Sequence, residues 1–231
     1  MKVAGINGWR RYVVRKDERL RTTWSFRFAL VACLVVLAWS TRQLWMPAVA
    51  RDLVCDQSAE VGDAILVDNF ETNYLLFERA EALRANGVGP RVWVPIDMYK
   101  DSEQPNVVSK EIAEMMARLA RLHDPEPIFI RQLEPISINA AYQIRAVLQM
   151  EKVKTVVVVT PAFRSRRSAL IYSAVFGEAN IATHCVPVFG QQTPDTWGET
   201  WHGILLVAEQ HLKLQYYRFY VLPMHFAAGR V

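Results

Sequence analysis

Three cysteines in 231 residues are too few for a disulfide framework. Cys33 lies within a hydrophobic run, which leaves Cys55 and Cys185 as the one possible pair in an oxidising compartment, and their spacing does not decide whether they join. Also missing are a glycine-rich phosphate loop after the first strand-like run, a Gly-x-Ser-x-Gly elbow and any Cys/His spacing that suits zinc. These absences remove common nucleotide-binding, serine-hydrolase and structural-zinc patterns. The five histidines, His123, His184, His202, His211 and His225, are scattered and read as surface or packing residues, so no metal site is expected and no cofactor is indicated. Internal repeats and low-complexity tracts are lacking as well. The length admits one domain of ordinary size beside a targeting segment, not two substantial domains.

The formal net charge of +4 is unevenly spread. Lys2, Arg10, Arg11, Arg15, Lys16, Arg19, Arg21 and Arg27 crowd the amino terminus against only Asp17 and Glu18, so the remainder is near neutral and nucleic-acid binding is not expected. From Phe28 to Trp39 the chain is then almost wholly apolar, with Trp24, Trp39 and Trp45 suited to the two interfaces of a bilayer. A basic flank before an apolar run reads as topology by the positive-inside rule. The pure run is shorter than the roughly 20 residues a spanning helix needs, so the expected span is 24–46, with Arg27 and Arg42 snorkelling to the surfaces. Residues 1–23 become a basic cytoplasmic amino terminus, 47–62 a linker, 63–222 an exported domain and 223–231 a tail. A rival reading is a signal peptide cleaved after Ala50, because Ala48-Val49-Ala50 has the small-x-small form. Both readings export the domain. The first makes the chain a single-pass protein of the inner (cytoplasmic) membrane, with its carboxyl-terminal domain periplasmic or extracellular.

Beyond Gly62, strand-like and helix-like segments alternate regularly, the pattern of a parallel sheet covered by helices. Strands are expected at 63–67, 91–94, 127–130, 155–159 and 184–188, and the unbroken run Thr155-Val156-Val157-Val158-Val159 suits a central strand buried on both faces. Between them, apolar residues three and four apart predict helices over 74–86, 108–122, 137–151 and 164–176. The segment 196–221 carries Ile204, Leu205, Val207, Ala208, Leu212 and Leu214 at helical spacing. Core packing is the expected role of its aromatic end, 216–220, with contact to a membrane surface as the alternative. The fold class is therefore α/β, a Rossmann-like three-layer domain with a mostly parallel sheet.

In an open parallel sheet the ligand site lies outside the carboxyl ends of the strands. The residues there are polar: Asp68 and Asn69 after the first strand, Asp97 after the second, Glu134, Ser137 and Asn139 after the third, Thr160, Arg164, Arg166 and Arg167 after the fourth. The fourth turn puts hydroxyls and three arginines at a helix amino terminus, where free N–H groups and the helix dipole favour an anion and arginine adds a bidentate clamp. Asn69, Ser137, Asn139, Thr160, Arg164 and Arg167 are the candidate ligand-binding residues. Asp68 and Glu134 are the candidates for a general base.

The order of segments and two motifs resemble the YdcF-like family of bacterial envelope proteins, over about 63–217. The stronger motif is Val156-Val157-Val158-Val159-Thr160-Pro161-Ala162-Phe163-Arg164-Ser165-Arg166-Arg167-Ser168, similar to the family's strand followed by Thr-Ser-x-aromatic-His-x-x-Arg-Ala. The second is Glu134-Pro135-Ile136-Ser137-Ile138-Asn139, similar to its Glu-x-x-Ser-x-Asn, and Arg79-Ala80 matches the Arg-Ala of its first helix. The family's paired glycines after strand one are Asp68-Asn69 here, its histidine after strand four is Arg164, and its Thr-x-Glu-Asn is Ala140-Ala141-Tyr142-Gln143. The resemblance implies a divergent member, held in the membrane by one amino-terminal helix and acting in cell-envelope or surface-polysaccharide biogenesis. The expected ligand is an anionic or phosphorylated small or lipid-linked molecule. Two alternatives stand beside binding: a hydrolase or transferase acting on a lipid-linked or sugar-phosphate substrate, and a non-catalytic module that binds a protein partner in a polysaccharide assembly.

Overall fold

The computed structural model describes residues 14–16, 20–56, 61–99 and 104–227. The chain divides into two compact units, Met1–Pro47 and Ala48–Val231. Most of the basic amino terminus read as topology, residues 57–60 of the expected linker and 228–231 of the tail lie outside the described residues.

In the first unit, β1 (Val14–Lys16) pairs antiparallel with β2 (Leu20–Thr22). Helix α1 (Trp24–Ser40) starts at Thr23, whose hydroxyl accepts from the Phe26 N–H, and none of its residues is buried. One continuous helix expected over Trp24 to Trp45 is not what forms. The Ser40 and Thr41 hydroxyls both donate to the Leu37 carbonyl, at 3.0 and 2.7 Å, and the Trp45 indole donates to Ala38 O. The Thr41 N–H still bonds Leu37 O at 3.0 Å, but the indole occupies the Ala38 carbonyl that the Arg42 N–H would use in a continued helix; there α1 ends and α2 (Arg42–Arg51) begins anew. Among the described residues no single helix is long and apolar enough to cross a membrane; α1 and α2 meet that length and composition only together, as a bent pair.

The second unit is built on five parallel strands: β3 (Ala64–Val67), β4 (Arg91–Asp97), β5 (Glu126–Ile130), β6 (Thr155–Pro161) and β7 (Ala182–Val188), in the spatial order β5-β4-β3-β6-β7. All five expected strands form, with ends displaced by a few residues. Side chains alternate across the pleat. Ala64, Leu66, Val156 and Val158 point to one core, which α5 (Ile136–Met150) and α6 (Ala162–Gly177) cover. Ile65, Val67, Val157 and Val159 point to the other, under α3 (Tyr74–Ala85) and α4 (Val107–Leu119). Three layers result, helices on both faces of a sheet buried on both sides, and the fold is Rossmann-like. Gly87, at φ 74°, closes α3 in the left-handed conformation that glycine adopts without strain.

After β7 a short 3-10 turn (Trp197–Glu199) leads into α7 (Trp201–Tyr216), then a wide turn (Tyr217–Val221) and α8 (Leu222–Ala227). Thr200 caps α7 by accepting from the Gly203 N–H at 3.0 Å. A Cβ on Gly203 would lie 2.1 Å from the Trp197 carbonyl, so this approach admits only glycine.

Residues 48–55, expected within a linker, are part of the domain. Val49 O meets His211 Nε2 at 2.9 Å, Arg51 pairs with Asp195, and the Arg166 N–H donates to Leu53 O at 2.9 Å. The Cys55 N–H donates to Ser165 Oγ at 2.8 Å, and Cys55 is disulfide-bonded to Cys185 in β7. Ala50, Leu53 and Cys55 are buried.

Candidate functional site

Strand order decides where the site lies. The sequence of strands reverses between β3 and β6, and ligands of open parallel sheets bind outside the carboxyl ends at such a switch point. Register aligns Val67 with Val159, so Asp68 and Thr160 leave the sheet side by side. Asp68 has no exposed surface. Its Oδ2 accepts from Thr160 Oγ1 at 2.7 Å and Ser168 Oγ at 2.6 Å; Oδ1 accepts from Tyr172 OH at 3.3 Å and Arg164 Nη2 at 3.4 Å. Four donors converge on one carboxylate, which satisfies the cost of burying it. Burial, reinforced by the Asp68 charge, pushes the Tyr172 hydroxyl well above its ordinary value, so it stays a donor.

Arg164, Ser168 and Tyr172 recur every four residues along α6, which sets them on one face. The Arg164 guanidinium is buried, lies 5.0 Å from the centre of the Phe70 ring and 3.7 Å from the Glu71 carboxylate, and its Nε has no hydrogen-bond partner among the described residues. Arg167 is buried too. It sits 5.8 Å from the Tyr217 ring, and no carboxylate of the described residues pairs with it. Desolvation lowers its pKa from the ordinary arginine value, and the Arg164 charge adds to the effect. Two buried guanidinium groups thus lie near one buried carboxylate, and of the two only Arg164 touches it. Arg166, by contrast, turns outward to within 3.6 Å of Asp56.

A cavity of about 220 Å³ opens beside Arg164. Its walls come from the turn after β3 (Glu71, Asn73), the β6–α6 turn, the loop after β7 (Gln191, Gln192) and the inner face of α7 (Gln210). Gln210 is buried, and its Oε1 lacks a partner among the described residues. The α6 amino terminus carries no side-chain cap, since Pro161 precedes it, and the helix dipole there favours negative charge.

No protein-family model, curated protein or solved structure matches this chain. The site is therefore read from its own geometry.

Of the residues singled out from sequence, Asp68, Thr160, Arg164 and Arg167 come together at the switch point. Asn69 is close by and its amide donates to Pro95 O at 3.4 Å. The third-strand residues are elsewhere, because β5 is at the sheet's far edge. There Asn139 donates to Leu133 O and Pro135 O, the Ser137 N–H donates to the Tyr217 hydroxyl oxygen at 3.3 Å, and Glu134 is exposed before a cis peptide to Pro135. None of the three lines the cavity. Asp97 accepts from Gln132. Sequence reasoning missed Glu71, Ser168, Tyr172 and Gln210. For Ser168 and Tyr172 the signal was present, polar residues at four-residue spacing from Arg164 along the same helix. Glu71 and Gln210 carried none. Among the described residues no group of three or more His, Cys, Asp or Glu is placed to hold a metal ion.

Proposed function

We propose that this chain is a membrane-anchored envelope protein of the YdcF-like kind whose exported domain binds a phosphorylated or acidic ligand at the switch-point cavity. The carrying observation is the imbalance of buried charge, two guanidinium groups against one carboxylate, with an unpaired Arg164 Nε beside an open cavity. A bound anion completes that balance, and arginine suits phosphate or carboxylate through its rigid fork of donors. Export draws support from the Cys55–Cys185 disulfide, since such bonds persist outside the reducing cytoplasm. Anchoring draws support from the apolar run 28–39 and the basic residues before it. Envelope or surface-polysaccharide biogenesis follows from the family resemblance and the ligand class.

Asp68 is not placed to act as a base in this arrangement, because both of its oxygens accept hydrogen bonds from side chains and it has no exposed surface. A hydrolase or transferase reading is favoured by one other observation: Glu71 is a half-exposed carboxylate on the cavity wall, 3.7 Å from Arg164. The test uses the detergent-solubilised full chain, with inorganic phosphate, sugar phosphates and a polyprenyl phosphate as ligands in a thermal-shift assay. Arg164→Met keeps the apolar stem and removes the charge, and should weaken binding about tenfold to a hundredfold, the loss of a charged hydrogen bond of roughly 1.5–3 kcal/mol. Unchanged affinity would remove the anion site. Release of phosphate by the wild type, lost in Glu71→Gln with binding retained, would make the protein an enzyme instead.

A further inference from the structure

Helix α7 is apolar on two opposite sides. Gly203, Val207, Gln210, Leu214, Tyr217 and Val221, spaced four and three apart, face inward and are buried. On the other side Trp201, Leu205, Ala208, Leu212, Tyr216 and Phe219 recur at the same spacing and are exposed. Trp201 is 67% exposed, Leu212 74% and Phe219 70%. The stripe continues through Pro223 and Phe226 on α8, with Tyr220 and Met224 beside it. At 1.5 Å per residue it is about 40 Å long. A helix of a water-surrounded domain shows one apolar face; the second needs its own apolar surroundings.

We infer that this outer face of α7 and α8 lies in the interfacial layer of a lipid bilayer, so the domain rests on the membrane rather than hanging from its tether. Three observations favour lipid over a protein partner. The chain ahead of Ala48 leaves the domain beside this same helix, since Val49 O is bonded to His211 and Arg51 to Asp195 just before α7. An anchor preceding Ala48 is therefore joined to the domain at this helix. The stripe is also unusually aromatic, with Trp201, Tyr216, Phe219, Tyr220 and Phe226, and tryptophan and tyrosine, apolar with a polar tip, suit the headgroup level. Its flanks carry Arg218 and the Lys213–Glu209 pair, a net positive charge, which agrees with a surface of anionic lipid. The cavity-lining Gln210 points to the other side of α7. A domain lying this way keeps its site at a fixed height beside the headgroups, within reach of a phosphate carried on a lipid.

The inference rests on the anchored reading. Its test uses the full chain in a Cys33→Ser background, which removes the one free cysteine among the described residues. Nitroxide labels are attached at Leu212→Cys or Phe219→Cys, with the exposed Met150→Cys at the end of α5 as the reference. The protein is placed in vesicles of equal parts phosphatidylethanolamine and phosphatidylglycerol. Collision with oxygen, which concentrates in lipid, is compared with collision with a water-soluble nickel chelate. The expected result is a severalfold higher oxygen-to-nickel ratio at residues 212 and 219 than at 150. Nickel collision equal to that at 150 would overturn the inference. So would low collision with both reagents, with or without broadening between labels, since that means a second copy or another protein segment covers the face. A carbonate wash of the same vesicles separates the layers of the argument. Release of the protein removes the anchor and this inference together; retention with water-exposed labels removes this inference alone, and neither outcome touches ligand binding at Arg164.

Discussion

Two arginine–carboxylate clusters occupy opposite rims of the same sheet. At the amino ends of β4 and β5, Arg91 donates through Nε to Glu126 at 2.7 Å and through Nη1 to Glu151 at 2.8 Å, while the Trp93 indole donates to Glu126 at 2.8 Å. At the carboxyl ends of β3 and β6, Arg164 meets Asp68 at 3.4 Å. The amino-rim groups are more than a third exposed and Asp68 is fully buried. On the first rim each charge has a close partner and water screens the remainder. On the second, among the described residues, one arginine lacks any carboxylate partner and the other keeps an unused donor. Similar chemistry fastens strands at one rim and, at the other, is kept at a desolvation cost that packing alone does not explain.

The largest expected effect comes from breaking the buried cluster. Asp68→Ala strands the Arg164 charge and three hydroxyl donors, so unfolding free energy should fall by about 3–5 kcal/mol, measured by denaturant titration. A loss under about 1 kcal/mol would mean that the cluster is no more than its exposed counterpart. Next comes the disulfide beside this rim. It closes a loop with a sequence separation of 130, and Cys55→Ser combined with Cys185→Ser should cost about 2–5 kcal/mol in the same titration. A matching loss on adding reductant to the wild type would tie the effect to the bond.

At the exposed rim the effect should be small and dependent on pH. The hydrogen bond from Arg91, helped by that from Trp93, holds the Glu126 carboxyl below its ordinary 4.5. A depressed folded-state pKa contributes stability that is complete above pH 4.5 and is lost as pH falls through the lowered value. Glu126→Gln should therefore shift stability by no more than about 1 kcal/mol at neutral pH, and by less in high salt, while flattening the acid limb of the stability profile. An unaltered acid limb would show that other carboxylates dominate it.

The strands were legible because their apolar β-branched runs are short, evenly spaced and bounded by turn residues. Half of the site was legible for the related reason that polar residues follow those runs. What the linear chain did not contain was the spatial order. Glu134, Ser137 and Asn139 looked equivalent to Thr160 and Arg164, yet β5 ends up two strands from β3; Asn139 bonds the local backbone instead and the Ser137 N–H bonds Tyr217. Residues 48–55 looked like a linker because their partners, Ser165, Arg166, Cys185 and His211, are more than a hundred residues away. The α1 break depended on the Trp45 indole reaching back to the Ala38 carbonyl, which hydrophobicity does not register.

The disulfide also fixes how force travels through the molecule. A pull on the chain that outlasts the weaker bonds of Val49, Arg51 and Leu53 passes through sulfur to Cys185, within a strand aligned with β6 along its whole length from Ala182 to Val188. The backbone between the two cysteines, which holds the Asp68–Arg164 cluster, is closed covalently into a loop, so a drag on the tether meets a covalent stop before it can peel Cys55 from Ser165.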